Sequence, residues 1–316
     1  MSTWVLTVDS TKKIAMIPNV FHFIFGLREQ NEPFHLIYYL CLKSCIDVNR
    51  PDVVNFHFAH EPWGPWWDRI KPSLQLRKIK PNKFVSEFEY DDRAIEKYRY
   101  AHHADFLRLE ILRDEGGIYA DIDTLFLKKI PQEWLARNFI LGAEKPPPGT
   151  FGSLCNAWIA AKPNAAFCRL WLDEMEQAFD GSWSNHSTQL PFLIARRQPD
   201  LLSVEPEASF YALDYSVEGI KNLFMRSVKL PDNAYSLHLW SHLWFDKKRK
   251  DFSIFHSDAL TVDYVRHASS TYAEKARRYL PEDCRGNRMA YRLQQAGLQG
   301  PEVVKQAMRS LLKGGL

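Results

Sequence analysis

No stretch of this chain is long and apolar enough to cross a bilayer. The longest such run, FHLIYYLCL, has nine residues, where a spanning helix needs about twenty. Cysteine is scarce: Cys41, Cys45, Cys155, Cys168 and Cys284 are odd in number and scattered. That excludes a disulfide framework and predicts buried thiols at Cys41 and Cys45, in a reducing compartment. The N-terminus, MSTWVLTVDSTKK, lacks a basic segment leading into an apolar one. No secretory signal is therefore expected, and a cytoplasmic location follows, with any membrane contact peripheral at the inner face. Net charge is only +3 and no concentrated basic stripe accompanies it, so nucleic acid is not an expected partner. Internal repeats, low-complexity tracts, a P-loop and an H-E-x-x-H motif are all missing.

What is present suits a large core. Of 316 residues, 46% are hydrophobic and 14% aromatic, enough for one large domain or two. IPNVFHFIFG (17–26) reads as a buried strand, PFHLIYYLCLKSCIDVN (33–49) as a helix and PDVVNFHFA (51–59) as a second strand. This β-α-β opening predicts an α/β fold with a mostly parallel sheet flanked by helices. LQLRKIK (74–80) is a candidate third strand, and 94–114 has helical spacing, stopped by Gly116 and Gly117. Strand-like IYADI and TLFLKKI follow, then NFILGAE and SLCNAWIAA separated by the stiff PPPGTFG. Helices are predicted over 164–179 and 187–197, and basic helical pieces from 270 onward, broken by Gly286 and Gly297.

Asp121 and Asp123, in EGGIYADIDTLFL, sit where carboxylates are costly unless something compensates their desolvation. Alone, D-x-D is a common surface pattern. Here it follows a Gly-Gly break and a strand, and ligand sites of open α/β sheets lie at the carboxyl ends of strands. Two carboxylates in oxygen-only surroundings suit Mg²⁺ or Mn²⁺ held together with substrate phosphates. On the preceding helix Asp105 and Arg108 are three apart and share a face.

YRYAHHADFLRLEILRDEGGIYADIDTLFLKK resembles the DXD-containing sugar-binding region of family 32 glycosyltransferases. The pattern S-D-x-x-R-x-x-x-L-x-x-x-G-G-x-Y-x-D-x-D is met by Asp105, Arg108, Leu112, Gly116, Gly117, Tyr119, Asp121 and Asp123, with Ala104 in place of Ser. IPNVFHFIFG is similar to the family's IPKxIHQxW opening, with Phe23 and Phe25 replacing Gln and Trp. The resemblance implies a GT-A fold, a UDP- or GDP-sugar donor and retention of anomeric configuration. It assigns Asp121 and Asp123 to Mn²⁺ (or Mg²⁺) on the donor diphosphate, with Asp123 the firmer ligand, and Asp105 and Arg108 to the donor sugar. Tyr119 accompanies the aspartates on their strand.

The resemblance also implies a third metal ligand late in the chain. YSLHLWSHLW offers His238 and His242, and His238, Trp240 and Trp244 fit the related H-x-W-x-x-x-W pattern, which favours His238. Trp244 or Trp240 is a candidate to close over the donor phosphates through its indole N–H. Asn156 falls where relatives carry an Asn beside the sugar, though a side-chain bond to backbone would also explain it. One of His102 and His103 is expected to face the cleft, while His22 reads as a satisfied core histidine. Three tryptophans in EPWGPWWDRIKP are equally suited to a ligand platform and to core.

The expected organisation is a GT-A domain over 1–268 and a basic helical C-terminal extension, 269–316, packed on it. That extension is a candidate contact with an anionic membrane surface. The function expected is a retaining, metal-dependent hexosyltransferase acting on a glycan or glycolipid acceptor, probed against two alternatives. One is a carbohydrate-binding relative with a lapsed site; the other is a metal-dependent nucleotidyltransferase or phosphohydrolase.

Overall fold

A computed structural model describes residues 16–246 and 255–299. Pro18 precedes the first strand, β1 (Val20–Ile24), whose Phe21 and Phe23 are fully buried. The helix Leu36–Asn49 follows, capped by the His35 ring accepting from Ile37 N and ended at Arg50, with φ 50° just before Pro51. β2 (Val53–Phe58) then lies parallel to β1, with Val20 opposite Val53, and β3 (Gln75–Lys78) lies parallel to β2.

The expected helix over 94–114 is divided. A short turn, Arg93–Glu96, is capped by Asp92, and the long helix begins again at Arg99 and runs to Glu115. The Arg99 guanidinium turns back onto the carbonyls of Val85 and Phe88, at 2.6 and 2.9 Å, which fixes the new start. Gly116 (φ 67°) and Gly117 (φ 102°) end this helix. A Cβ at Gly117 would stand 2.6 Å from the Val20 carbonyl oxygen, so the turn admits no side chain there.

That tight turn delivers β4 (Gly117–Ala120) into the middle of the sheet, parallel to β1. β5 (Thr124–Phe126) leaves the sheet at once. β6 (Phe139–Ala143) and β7 (Leu154–Ala161) form an antiparallel pair, and β8 (Ser203–Glu205) joins β6 in parallel. The order is β3-β2-β1-β4-β7-β6-β8: four parallel strands, then the antiparallel β7 beside β4. This is the expected α/β architecture, a mostly parallel sheet with both faces covered. Ile118, Trp158 and Ala160 face one core with Leu40, Phe56 and Phe210; Tyr119, Ile159 and Ala161 face the other with Leu109, Leu112 and Trp171. Alternate strand residues thus bury into opposite cores.

β9 (Ser236–His238) pairs antiparallel with β5, setting His238 opposite Thr124. Two further differences concern helices. The 187–197 segment opens with a π-helical turn, Asn185–Gln189, before the α-helix Leu190–Arg197. Gly297 does not break the chain as expected, since the helix Arg288–Gln299 runs through it. Tyr272, Ala273 and Ala276 of the C-terminal segment pack into the first core, and Tyr279 Oη donates to the Phe126 carbonyl at 3.0 Å. The part of that segment beyond 299, with Lys305, Arg309 and Lys313, lies outside the described residues.

Candidate active site

The site is assembled where β4 ends and β5 begins. The Asp121 N–H donates to the Ala157 carbonyl on β7 at 2.8 Å, and the Thr124 N–H closes a turn on the Asp121 carbonyl at 3.0 Å. This turn holds Asp121 part-exposed and Asp123 buried. The β5–β9 pairing brings in His238, whose Nε2 lies 3.2 Å from Asp123 Oδ1 and 3.5 Å from Asp121 Oδ2. Ligand-capable atoms of Asp121, Asp123 and His238 all lie within 4.8 Å of one another.

Backbone conformation completes the pocket. Trp240 adopts φ 53°, unusual for a side-chain-bearing residue, and the turn it makes carries the Ser241 N–H to Asp123 Oδ2 at 2.7 Å. The Leu239 N–H meanwhile donates to the Asp123 carbonyl at 3.0 Å.

Behind Asp121 stands a buried polar cluster. Tyr119 Oη donates to Asp121 Oδ1 at 2.6 Å, and Arg108 Nη1 reaches the same oxygen at 3.2 Å. The Arg108 guanidinium lies 4.6 Å over the Tyr119 ring. Its Nη2 pairs with Asp105 Oδ1 at 3.0 Å, while Nη1 also donates to the Asn156 carbonyl at 2.7 Å and Nε to the Ala104 carbonyl. Asn156 Nδ2 donates to Asp105 Oδ1 at 2.7 Å, and His186 Nε2 contacts Asp105 Oδ2 at 3.0 Å.

These contacts set the ionisation states. Burial pushes His238 down, but the neighbouring carboxylates of Asp123 and Asp121 prevail and hold it at about 10. Burial alone would raise Asp123; the imidazolium and the Ser241 donors outweigh it and hold the carboxyl well below its usual range. Asp105 is lowered in the same way, with Arg108 and His186 overcoming burial.

The donor set also fits a divalent cation. Asp121 keeps Oδ2 free of Tyr119 and Arg108, Asp123 keeps Oδ1 free of the Ser241 N–H, and both oxygens face His238 Nε2. Two carboxylate oxygens and an imidazole nitrogen form a competent set for Mn²⁺ or Mg²⁺, with coordination positions remaining for phosphate and water. His238 Nδ1 has no hydrogen-bond partner among the described residues.

Of the residues singled out from the sequence, Asp105, Arg108, Tyr119, Asp121, Asp123, Asn156 and His238 converge here. Trp244 does not. It is buried against Phe224 and Phe255, and its indole N–H donates to the Leu239 carbonyl at 2.6 Å, which places it in the core instead of over the cleft. Trp240 is likewise buried, with its N–H on the Leu213 carbonyl. His242 stacks on Trp183, with ring centroids 5.0 Å apart. His102 and His103 are both buried, His102 bonding Tyr90 Oη at 2.6 Å. His22 is the satisfied core histidine expected, between His57 and the Gly116 carbonyl. Of the clustered tryptophans, Trp67 is core, Trp66 packs beside Tyr39 and Trp63 is exposed. His186 and the Ser241 N–H were invisible in the sequence, because neither has a spacing relation to the residue it holds. The one signal for His186 is its place in the polar, aperiodic SWSNHSTQ.

The chain is similar to known glycosyltransferases. Residues 38–140 match the glycosyltransferase sugar-binding region containing the DXD motif. "Glucan organizing enzyme 1" of Cryptococcus neoformans var. grubii is 32% identical over 244 residues, covering 73% of this chain and 64% of that protein. An uncharacterized glycosyltransferase of Acanthamoeba polyphaga mimivirus is 32% identical over 152 residues, covering 47% of this chain and 51% of that protein. The chain thus spans between about half and two thirds of these curated relatives. Among solved structures, an active-site mutant of LgtC is 14% identical at a TM-score of 0.44, covering 84% of this chain and 99% of that one. The glycosyltransferase GlyE of Streptococcus pneumoniae is 12% identical at a TM-score of 0.43, covering 83% of this chain and 60% of that one. The D-x-D aspartates, their strand and the preceding Asp105–Arg108 helix all lie inside the region that is similar to the glycosyltransferase sugar-binding region containing the DXD motif.

Proposed function

We propose that this chain is a retaining, metal-dependent hexosyltransferase that uses a UDP- or GDP-sugar and acts on a glycan or glycolipid, in surface polysaccharide synthesis. The observation that carries this reading is the convergence of Asp121, Asp123 and His238 beside the Arg108–Asp105–Asn156 cluster. A divalent cation held by Asp123 Oδ1, Asp121 Oδ2 and His238 Nε2 would act as a Lewis acid on the departing diphosphate. Arg108 presents a planar, permanently charged fork next to that position, suited to sugar hydroxyls or phosphate. Asp105 and Asn156 hold the fork in place, and each is a hydrogen-bonding group for the donor hexose. The glucan in the name of the fungal relative supports a polysaccharide context.

Retention is read as same-face attack, with the acceptor hydroxyl deprotonated by the departing phosphate oxygen. No helix among the described residues is long and apolar enough to cross a membrane, and a peripheral contact through the basic C-terminal segment accompanies this reading. The test is donor turnover. Purified protein with Mn²⁺ should be stabilised by one class of nucleotide sugar in a thermal-shift screen and should release nucleoside diphosphate from it. EDTA should abolish both effects and Mn²⁺ restore them. Turnover that persists undiminished in EDTA, or no response to any nucleotide sugar, overturns the reading.

A further inference from the structure

One exposed aromatic residue adjoins the elements that carry this site. Trp183 is 42% exposed, although tryptophan is usually well covered. One face of its indole stacks on His242 at 5.0 Å and 29°, the ring stands nearly perpendicular to Tyr98 at 5.5 Å and 82°, and it lies 6.2 Å from the buried His102. These neighbours tie it to both halves of the site. His242 follows Ser241, whose N–H holds Asp123, and Tyr98 caps the helix that carries Asp105 and Arg108.

The segment bearing Trp183 is held firmly. Asp180 accepts from the Ser182 N–H at 2.9 Å and from Asn185 Nδ2 at 2.5 Å. Ser187 Oγ donates to the Trp183 carbonyl, and His186, three residues on, is fully buried against Asp105. The indole is therefore pre-positioned, and its N–H has no hydrogen-bond partner among the described residues. A flat aromatic face, rigidly mounted beside a donor N–H, suits a pyranose ring. The C–H groups on a sugar's apolar face carry partial positive charge and meet the electron-rich indole, while a ring hydroxyl accepts from the N–H.

We propose that Trp183 is the acceptor platform of the enzyme, stacking a hexose ring of a neutral oligosaccharide at the mouth of the metal site. This inference rests on the transferase reading above and adds the substrate-binding residue to it. The occupant follows from continuity with the site: the donor lies on the aspartates, and the other reactant of a glycosyl transfer must approach across an adjoining wall.

The probes are soluble hexasaccharides of glucose, mannose and galactose, titrated by isothermal calorimetry into the full chain saturated with Mn²⁺ and nucleoside diphosphate. Wild type should bind at least one of them. Trp183→Ala should weaken that binding by about tenfold, the scale of one stacking contact. Trp183→Phe should retain most of it, and nucleoside diphosphate affinity should be unchanged in both variants. Equal oligosaccharide binding by Trp183→Ala, or no binding by wild type, overturns the proposal. So does an equal loss of nucleoside diphosphate affinity, which would identify the occupant as the donor's base. Absence of Mn²⁺-dependent nucleoside diphosphate binding in wild type would instead defeat the transferase reading, so the two failures are distinct.

Discussion

Arg108 Nη1 stands 3.2 Å from Asp121 Oδ1, so one guanidinium joins the cleft-facing aspartate to the buried Asp105 behind it. The charge on Asp121 is oriented from below by Arg108 and Tyr119, leaving its other oxygen for the cleft.

Removing that guanidinium should damage stability and donor turnover together. Arg108→Ala leaves Asp105 buried with only Asn156 and His186 as partners, and breaking a buried ion pair costs about 3–5 kcal/mol. Denaturant titration should show a lowered midpoint. Arg108→Lys keeps the charge but not the fork, so it should retain more stability than Arg108→Ala while still losing donor turnover. Wild-type turnover by Arg108→Lys would show that the fork geometry is dispensable.

The double glycine gives a purely conformational prediction. Gly117→Ala meets both an unfavourable φ of 102° and a backbone carbonyl 2.6 Å from the new Cβ. A destabilisation above about 1 kcal/mol is expected, since the native conformation is incompatible with a side chain. Because this turn aims β4, Mn²⁺ affinity should fall with stability. A variant as stable as wild type would mean that the turn relaxes without cost.

Much of this was legible beforehand, for physical reasons. Strands β1, β2, β4 and β7 are buried on both faces and read as apolar runs bounded by Pro and Gly, and the D-x-D lies at the carboxyl end of a strand, where open α/β sheets place their ligand sites. His238 was reachable because its histidine–tryptophan pattern is local. Trp244 was misplaced because an indole in that pattern looks the same whether it faces core or cleft, and burial is decided by Phe224 and Phe255, the one 20 and the other 11 residues away. His186 contacts Asp105 across 81 residues and follows no periodicity, so only the folded chain reveals it.

His238 and His242 separate cleanly as metal ligands. His238→Ala removes the imidazole beside both aspartates, whereas His242 stacks on Trp183. Mn²⁺ titration followed by electron paramagnetic resonance should show weaker binding in His238→Ala, by about 10-fold or more, and near-native binding in His242→Ala. The reverse pattern would move the third ligand to His242.

Acid should unfold this protein sooner than its modest net charge suggests. Burial holds His22 and His102 at about 4 and His57, with added repulsion from His22 and Arg77, at about 3. All three are nearly inaccessible. Their unfolded value is near 6.5, so below that pH the unfolded chain binds protons that the native state refuses. Stability is thus unaffected by these groups above pH 6.5 and falls as pH drops from 6.5 toward 4, with each contributing a slope approaching about 1.4 kcal/mol per pH unit. The His22–His57 contact at 3.1 Å couples that pair, so the folded state takes up their protons in two joint steps, the second at lower pH than the first. Denaturant midpoints measured from pH 8 to 4 should decline steeply below 6.5, and His102→Gln should flatten the decline. A midpoint constant down to pH 5 would mean that these imidazoles take up protons in the folded state.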